Sequence, residues 1–372
     1  MNSNATGIIF SNIHDEELQE ITQSQTMGSL PFGGRYRLID FALSNMHNSN
    51  ITNIAVITKS NYQILMEHLG SGKEWDLARK REGLHIFPPF GLKNAGFYRN
   101  KIEALFGIIP FINKAKDEYL IITDCDVICN MDWRNPLNYH REKNADITIV
   151  YYKVDPRKDQ ARNETVYTIS PDGFVTDILL NQKVETECCI GTNMWIIRKS
   201  LFVHLIEEAV AHSLENFERD ILQKKLTEYK IGAWEYHGYI RKINSMHDFF
   251  YANMDLLNPV IREDLFHKHG SIRTKVYDDI PTRYGDCIQI SNTLVSDGCF
   301  IEGNVENSIL FRGVKIGKGS KISNSIIMHN SIIGENVKLN YVLADQDVIF
   351  SDNRVLMGCD QHPIYIGKGK KI

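Results

Sequence analysis

The stretch at residues 31–41 contains the most distinctive residues of the sequence, two adjacent glycines followed closely by two arginines. Gly33 and Gly34 permit a tight turn and a close approach of the backbone, because glycine has no Cβ atom. Arg35 and Arg37 lie two positions apart and could bind an anion through charge-assisted hydrogen bonds. A loop with solvated arginines is the alternative that this stretch alone leaves open.

The first part of the chain, to about residue 255, alternates short apolar runs with helical patterns. Four of the runs are rich in β-branched residues: 7–10, 54–57, 119–122 and 147–150. Continuous apolar strands separated by helices are typical of a parallel sheet covered on both faces. We therefore predict a doubly wound, mostly parallel, Rossmann-like α/β domain over residues 1–258. In such sheets ligands bind beyond the carboxyl ends of the strands.

The last part of the chain follows a repeat of about six residues. An Asn-Ser-Ile motif recurs at 307–309, 324–326 and 330–332. A hexapeptide period points apolar residues into a narrow prism as short strands stack coil upon coil. We predict a left-handed parallel β-helix over residues 286–372, joined to the first domain by a linker at 259–285. The exposed coil ends and flat faces of such a domain favour oligomerisation.

Composition and charge narrow the functional classes. The 372 residues carry a formal net charge of -4, without the basic field that nucleic acid or anionic lipid requires. The seven cysteines are odd in number and scattered, which argues against a secreted disulfide framework. The sequence also shows no apolar run of membrane-spanning length and no export signal. We expect a cytoplasmic protein that binds neither nucleic acid nor membranes.

Together these features resemble bacterial glucose-1-phosphate adenylyltransferase, the ADP-glucose pyrophosphorylase of glycogen synthesis. The resemblance rests on the glycine–arginine stretch, on the C-terminal repeats, and on the segments at 41–45, 49–51, 56–58 and 253–256. That family transfers an adenylyl group from ATP to glucose 1-phosphate and releases pyrophosphate. The resemblance implies a nucleotidyltransferase domain in which basic groups stabilise the triphosphate and carboxylates hold a divalent cation.

The family's nucleotide loop, G-G-x-G-T-R-L, is the first place where this sequence departs from the pattern. Asn12, Ile13 and Asp15 stand at its three glycines. Glu17 stands at the arginine that would meet the phosphates. Bulky side chains block the close backbone approach, and anionic ones repel a triphosphate. The resemblance therefore predicts a loss of ATP turnover.

Further departures fall on other family contacts. Met27 stands at the lysine of the family's A-K-P-A, and Lys242 at the metal-binding aspartate of Y-W-R-D-V-G-T. An ammonium there removes a ligand and repels the cation. Asp126 keeps the family's other metal-binding aspartate. It is either the remnant of the metal site, where Lys242 could pair with it, or a surface turn carboxylate. Lys101 and Glu103 fall in the family's G-T-A-D-A segment and are candidate contacts to a sugar phosphate.

With these losses the sequence looks most like the non-catalytic GlgD type of regulatory subunit. The resemblance implies assembly with a catalytic homologue, as a heterotetramer, with a homo-oligomer as the alternative for the chain alone. Mg²⁺ and ATP are then expected at the catalytic partner, and no cofactor on this chain. An anionic small-molecule effector is expected near Arg35 and Arg37, although Ser24, Gln25 and Pro31 replace other basic positions of that segment.

Two other functions stay open from the residues alone. An active nucleotidyltransferase could use Asp124 and Asp126 for metal, and Lys101 or Lys242 for phosphate. A hexapeptide-repeat acyltransferase would place a catalytic histidine on the β-helix. The candidates for that histidine are His329 and His362.

Overall fold

The chain folds into an α/β domain followed by a left-handed parallel β-helix, as predicted. The computed structural model describes residues 3–11, 18–89, 98–154, 164–183 and 186–372. The described strands of the α/β domain are β1 (Ala5–Phe10), β2 (Pro31–Phe32), β3 (Tyr36–Arg37), β4 (Asn53–Ile57), β5 (Gly83–Phe87), β6 (Tyr119–Asp124), β7 (Val127–Cys129), β8 (Ile147–Val154), β9 (Glu164–Ile169), β10 (Val175–Gln182), β11 (Cys188–Arg198), β12 (Ile231–Glu235) and β13 (Ile240–Lys242). The described helices are α1 (Gln19–Thr22), α2 (Leu38–Asn48), α3 (Gln63–Leu69), α4 (Lys101–Gly107), α5 (Ile109–Lys114), α6 (Arg134–Glu142), α7 (Lys199–Ala211), α8 (Met246–Met254) and α9 (Pro259–His267).

The large sheet of the α/β domain is mixed. Its described strands follow the order β10-β9-β11-β6-β1-β4-β5, with β8 beside β11 and β12 beside β8. β1 pairs in parallel with β4 and β6, and β4 pairs in parallel with β5. β11 runs antiparallel to β6 and to β8. The parallel part brings the carboxyl ends of β1, β4 and β6 to the same edge of the sheet, where ligands bind in doubly wound folds.

Both faces of this sheet are covered, which explains the continuous apolar runs in the sequence. Neighbouring residues of a strand point to opposite faces. In β1, Ile8 packs into one apolar cluster and Ile9 into another, and both are fully buried. In β6, Ile122 and Ile121 divide between the same two clusters. A strand buried on both sides has no polar face and therefore shows no alternation.

The β-helix is built from short parallel strands. Those described are β14 (Arg283–Tyr284), β15 (Ile290–Val295), β16 (Phe300–Ile301), β17 (Asn304–Leu310), β18 (Lys315–Ile316), β19 (Lys321–Ser323), β20 (Ile326–Ile327), β21 (Ile332–Ile333), β22 (Lys338–Asn340), β23 (Val342–Ala344), β24 (Ile349–Phe350), β25 (Val355–Met357) and β26 (Ile364–Ile366). Ile316 pairs with Ile333, which pairs with Phe350. Each of these side chains is 1% exposed, because it points into the prism.

The two domains share an apolar core. Phe41, Phe249 and Leu256 of the α/β domain pack in one buried cluster with Phe311 and Leu343 of the β-helix. The predicted linker at 259–285 contains α9 and β14, and β14 already pairs with β16 of the β-helix. The segment between the domains is thus structured at both of its ends.

Candidate functional site

The carboxyl end of β6 holds a buried ion pair between Asp124 and Lys101. Asp124 is the last residue of β6, and Lys101 is the first residue of α4. The Lys101 Nζ lies 3.2 Å from both carboxylate oxygens of Asp124 and 3.6 Å from Oε1 of Glu218. The side chains of Lys101 and Asp124 keep only 8% and 2% of their surface exposed. The pair therefore lies in a low-dielectric environment, where the charges interact strongly.

Two aromatic rings also enclose the Lys101 ammonium. Its Nζ lies 4.1 Å from the centre of the Trp195 ring and 5.0 Å from that of Phe10. Ring faces attract cations, and the attraction grows when water is excluded. The Lys101 ammonium, predicted as a sugar-phosphate contact, is thus held by carboxylates and ring faces of its own chain.

Glu103, the other predicted sugar-phosphate contact, points to a different neighbour. Its carboxylate accepts hydrogen bonds from the Arg99 side chain at 2.9 Å and 2.6 Å. The hydrogen bond from Arg99 lowers the pKa of Glu103. The backbone N–H of Glu103 donates to Asn100 Oδ1 at 2.9 Å, which caps the beginning of α4. Lys101 and Glu103 therefore do not converge on a common point.

Asp126 and Lys242 lie on neighbouring segments. β13 pairs antiparallel with β7, with Lys242 opposite Val127, and the Ile243 N–H donates to the Asp126 carbonyl oxygen at 2.8 Å. The Asp126 side chain is completely buried, so the alternative of a surface turn carboxylate is wrong. The Lys242 Nζ forms an ion pair with Glu164 Oε2 at 2.7 Å. The side chains of Lys242 and Glu164 are 7% and 3% exposed.

Sequence reasoning did not identify Glu164 as a site residue. Its second carboxylate oxygen accepts a hydrogen bond from Asn244 Nδ2 at 2.6 Å, so β13 and the residues after it supply both of these side-chain contacts. Glu164 begins β9, far from Lys242 in the chain. No local spacing could have signalled this pair, because only the tertiary fold brings the two strands together.

Met27 lies in a short 3₁₀ turn at residues 27–29 and is 1% exposed. Its side chain belongs to the apolar core that the two domains share. The next residue, Gly28, donates its N–H to the Ser11 carbonyl oxygen at 2.8 Å. An apolar side chain therefore occupies the position of the family's lysine. Asn12, Ile13, Asp15 and Glu17 lie outside the described residues.

The glycine–arginine stretch forms the β2–β3 hairpin at the domain junction. Gly33 and Gly34 adopt left-handed backbone angles, with φ of 58° and 88°, and the Gly33 N–H donates to Asn253 Oδ1 at 2.9 Å. A Cβ atom on Gly34 would lie 2.5 Å from Ser296 Oγ of the β-helix. The two glycines are therefore needed for the turn and for the close contact between domains.

The two arginines of this stretch have different surroundings. Arg35 is exposed, and its guanidinium lies 5.5 Å from the centre of the Tyr36 ring. The Arg37 side chain donates to the Ser29 carbonyl oxygen, and burial lowers the pKa of Arg37. The Arg37 backbone N–H donates to Asp40 Oδ2 at 2.9 Å, at the beginning of α2. Part of the hydrogen-bonding capacity of Arg37 thus serves the hairpin itself.

Cations of both domains gather at this junction. Burial, together with the charges of Arg37, Arg312 and Lys368, lowers the pKa of His329 to about 3. Arg312 is 8% exposed, and its Nε lies 3.6 Å from Asp279 Oδ2. The junction thus combines a positive field with buried hydrogen-bond donors, which is the chemistry that binds small anions.

Comparison with known proteins gives the class of this molecule. Residues 8–163 match the family described as nucleotidyl transferase, and residues 276–363 match the GlmU-like C-terminal hexapeptide family. A nucleotidyltransferase domain followed by a hexapeptide β-helix is also what the described fold shows. Within the described residues no helix is both long and apolar enough to cross a membrane.

Full-length relatives narrow the class to one family. The chain is 32% identical to "Glycogen biosynthesis protein GlgD" of Bacillus subtilis (strain 168), over 99% of this chain and 97% of that protein. It is 34% identical to the protein of the same name from Geobacillus stearothermophilus, over 87% and 84% of the two chains. It is 31% identical to glucose-1-phosphate adenylyltransferase of Desulforamulus reducens, over 92% and 86%. The chain belongs to the glucose-1-phosphate adenylyltransferase family, which includes the GlgD proteins.

Proposed function

We propose that this chain is a regulatory, non-catalytic subunit of glucose-1-phosphate adenylyltransferase in glycogen biosynthesis. In this proposal a catalytic homologue converts ATP and glucose 1-phosphate to ADP-glucose and pyrophosphate. The present chain assembles with that homologue in a heterotetramer and changes its activity or its response to effectors. The relatives named GlgD and glucose-1-phosphate adenylyltransferase support the pathway.

The observation that supports the non-catalytic part of the proposal is the pairing of charges at the carboxyl end of β6. We call this region, with its ion pairs Lys101–Asp124 and Lys242–Glu164, the cleft. Asp124 faces the Lys101 ammonium at 3.2 Å, and Lys242 is held by Glu164 at 2.7 Å. Mg²⁺ needs several oxygen ligands in near-octahedral geometry, usually one or two carboxylates with waters and phosphates. A carboxylate paired with an ammonium is a poor ligand, and a second ammonium repels the cation. Among the described residues, these two ion pairs therefore do not fit Mg²⁺ binding.

Rearrangement of these groups into an active site would be costly. Separating a buried ion pair leaves an uncompensated charge, which typically costs about 3–5 kcal/mol. Using Asp124 for metal and Lys101 for phosphate would require separating the first pair. Freeing Lys242 for phosphate would require separating the second. An active enzyme with rearranged ligands is the weaker alternative for this reason.

The residues of the family's nucleotide loop support the same reading from the sequence. Asp15 and Glu17 add anionic side chains where the family has a glycine and an arginine. Stabilising groups that act in the transition state are each worth on the order of a hundredfold or more in rate. Loss of several of them is expected to leave the chain inactive alone.

The domain junction is the proposed place for regulation. Arg37 and Arg312 come from different domains, and both act on His329. An anionic effector bound between them would link the two domains and shift their relative stability in the assembled enzyme. The effector in this proposal is a small phosphorylated or carboxylated metabolite.

The experiment that tests the proposal measures pyrophosphate release with ATP, glucose 1-phosphate and Mg²⁺. Three samples are compared: this chain alone, a catalytic homologue alone, and the two co-expressed and purified as a complex. We expect no turnover by this chain alone, a mixed oligomer by size-exclusion chromatography with light scattering, and altered kinetics of the complex. Robust turnover by this chain alone would overturn the non-catalytic assignment. A catalytic chain that neither binds this one nor changes its kinetics would overturn the regulatory assignment.

A further inference from the structure

A groove of about 420 Å³ lies between the end of α8 and the β-helix, away from the cleft at the end of β6. On the β-helix side it is lined by Asn292, Asn307 and Asn324, and we call it the asparagine groove. The three asparagines occupy equivalent places on successive coils, because the strands that carry them pair in parallel around these positions. Equivalent places on neighbouring strands recur about every 4.8 Å. The groove thus presents a regular row of amides.

The amides have hydrogen-bonding capacity beyond their contacts with one another. Asn292 Nδ2 donates to Asn307 Oδ1 at 2.8 Å, and Asn324 Nδ2 donates to Asn340 Oδ1 at 2.9 Å. Each primary amide has two N–H donors and an oxygen with two lone pairs. Since one contact uses only part of this capacity, the row can still donate to and accept from a ligand.

The next coil breaks the row with a tyrosine. Asn292, Asn307 and Asn324 adopt left-handed backbone angles, with φ of 43°, 44° and 45°, and Tyr341 takes the equivalent place with φ of 50°. Asparagine tolerates this conformation, whereas a bulky side chain is strained in it by about 1–2 kcal/mol. Strained residues of this kind are concentrated at ligand-binding positions.

Tyr341 faces a second tyrosine across the groove. Both Tyr341 and Tyr251 line it, and the Tyr251 hydroxyl donates to the Asp360 carbonyl oxygen at 2.8 Å. This bond ties α8 to the β-helix and orients the Tyr251 ring. The groove therefore combines oriented aromatic side chains with a row of amides.

The lining chemistry selects the class of ligand. The described lining side chains include amides, tyrosines and the carboxylates Asp255 and Asp360, but no Lys, Arg or His. An anionic ligand would meet carboxylates and find no cation, so phosphates and nucleotides do not fit. A sugar ring does fit, because its hydroxyl groups both donate and accept and its C–H face packs on aromatic rings. We infer that the asparagine groove binds a neutral oligosaccharide, whose repeating units match the regular row of amides.

The test measures binding of maltohexaose to the purified full-length chain by isothermal titration calorimetry. The choice of a glucose polymer as the probe rests on the proposed role in glycogen biosynthesis. The inference that the groove binds a neutral oligosaccharide rests on the lining residues and is independent of that role. We expect saturable binding that Tyr341→Asn weakens about tenfold, since it removes an aromatic contact worth about 1.4 kcal/mol. Tyr341→Asn restores the residue type of the row and relieves backbone strain, but it also removes packing of the ring against the shared apolar core. Circular dichroism and the thermal midpoint of the variant therefore check that it is folded at the temperature of the titration.

The matched control is Tyr284→Asn, which removes an exposed tyrosine of β14 outside the groove. Its maltohexaose affinity should equal that of the wild type. The inference is overturned if the wild type does not bind maltohexaose, or if Tyr341→Asn binds it as tightly as the wild type does. Neither result bears on the regulatory proposal, because no catalytic partner and no turnover enter this measurement.

Discussion

The cleft at the end of β6 and the domain junction handle charge in opposite ways. In the cleft, Lys101 and Lys242 each meet a carboxylate of the same chain within 3.2 Å, and these pairs are almost fully buried. At the junction, Arg37, Arg312 and Lys368 all raise the positive potential around His329. The lysines of the cleft are thus neutralised at short range by buried carboxylates, whereas Arg312 at the junction lies 3.6 Å from the exposed carboxylate of Asp279, which compensates its charge less fully. An anion-binding site needs uncompensated positive charge, and for this reason we propose the junction as the regulatory site.

Lys242→Met tests the internal neutralisation of the cleft and should have the largest effect. It leaves the Glu164 carboxylate buried without its ammonium, which should lower the free energy of unfolding by about 3–5 kcal/mol. Urea unfolding measures this loss. Lys318→Met is the matched control, because Lys318 is 74% exposed and lies 3.8 Å from Glu302. The control should change stability by about 0.5 kcal/mol or less. Equal losses in the two variants would show that the cleft pair is not tightly coupled.

Asn253→Ala tests how firmly the junction hairpin is built. Asn253 is fully buried, and its Oδ1 accepts the Gly33 N–H at 2.9 Å. Its removal leaves that N–H without this acceptor and should cost about 1–3 kcal/mol in thermal or urea unfolding. Asn113→Ala, at an exposed position of α5, should stay within about 0.5 kcal/mol of the wild type. If Asn253→Ala and Asn113→Ala lose equally little stability, the hydrogen bond between Asn253 and Gly33 does not stabilise the junction.

The pH dependence of stability tests whether burial and the neighbouring cations together keep His329 neutral in the folded state. Its pKa is lowered to about 3 from the ordinary value of 6.5, so the folded state excludes a proton that the unfolded state binds. The stabilising contribution is complete above pH 6.5 and is lost as the pH falls toward 3. The loss is at most about 1.4 kcal/mol per pH unit. His329→Gln should therefore flatten the decline of stability between pH 6.5 and 4.

His140 is the internal control in this comparison. Its pKa is lowered to about 4, chiefly by burial, so it contributes a decline of the same sign to the wild type and to His329→Gln. The difference between the two proteins isolates His329. Parallel stability curves across this range would contradict the lowered pKa of His329, which burial and the neighbouring cations produce together.

Binding of inorganic phosphate tests the junction directly as an anion site, and its expected effect on stability is the smallest of these predictions. A ligand that binds only the folded state stabilises it by about 0.6 kcal/mol at twice its dissociation constant. We expect phosphate to raise the thermal midpoint of the wild type relative to chloride at equal ionic strength. Arg312→Gln should abolish the increase, whereas Arg134→Gln, at an exposed position of α6, should keep it. An equal increase in all three proteins would assign the effect to general salt stabilisation.

The fold was predictable because its signals are local. The apolar run at 119–122 and the six-residue repeats specify a buried strand and stacked coils within a few neighbouring residues. The charge pairs were not predictable from such signals. Lys101 and Asp124 were assigned separate roles, as a phosphate contact and a substitute metal ligand, but they form one ion pair at 3.2 Å. The sequence around Glu164 does not indicate its ion pair, because its partner Lys242 lies on a strand far away in the chain.

The apolar core that the two domains share has a consequence for how the molecule unfolds. Phe311 and Leu343 are buried against Phe41 and Phe249, so neither domain completes its core without the other. Units that share a core open together, and their stabilities cannot be assigned separately. The chain should therefore melt in a single calorimetric transition. Cleavage at the domain boundary would yield two aggregation-prone fragments, because each would expose its half of that core.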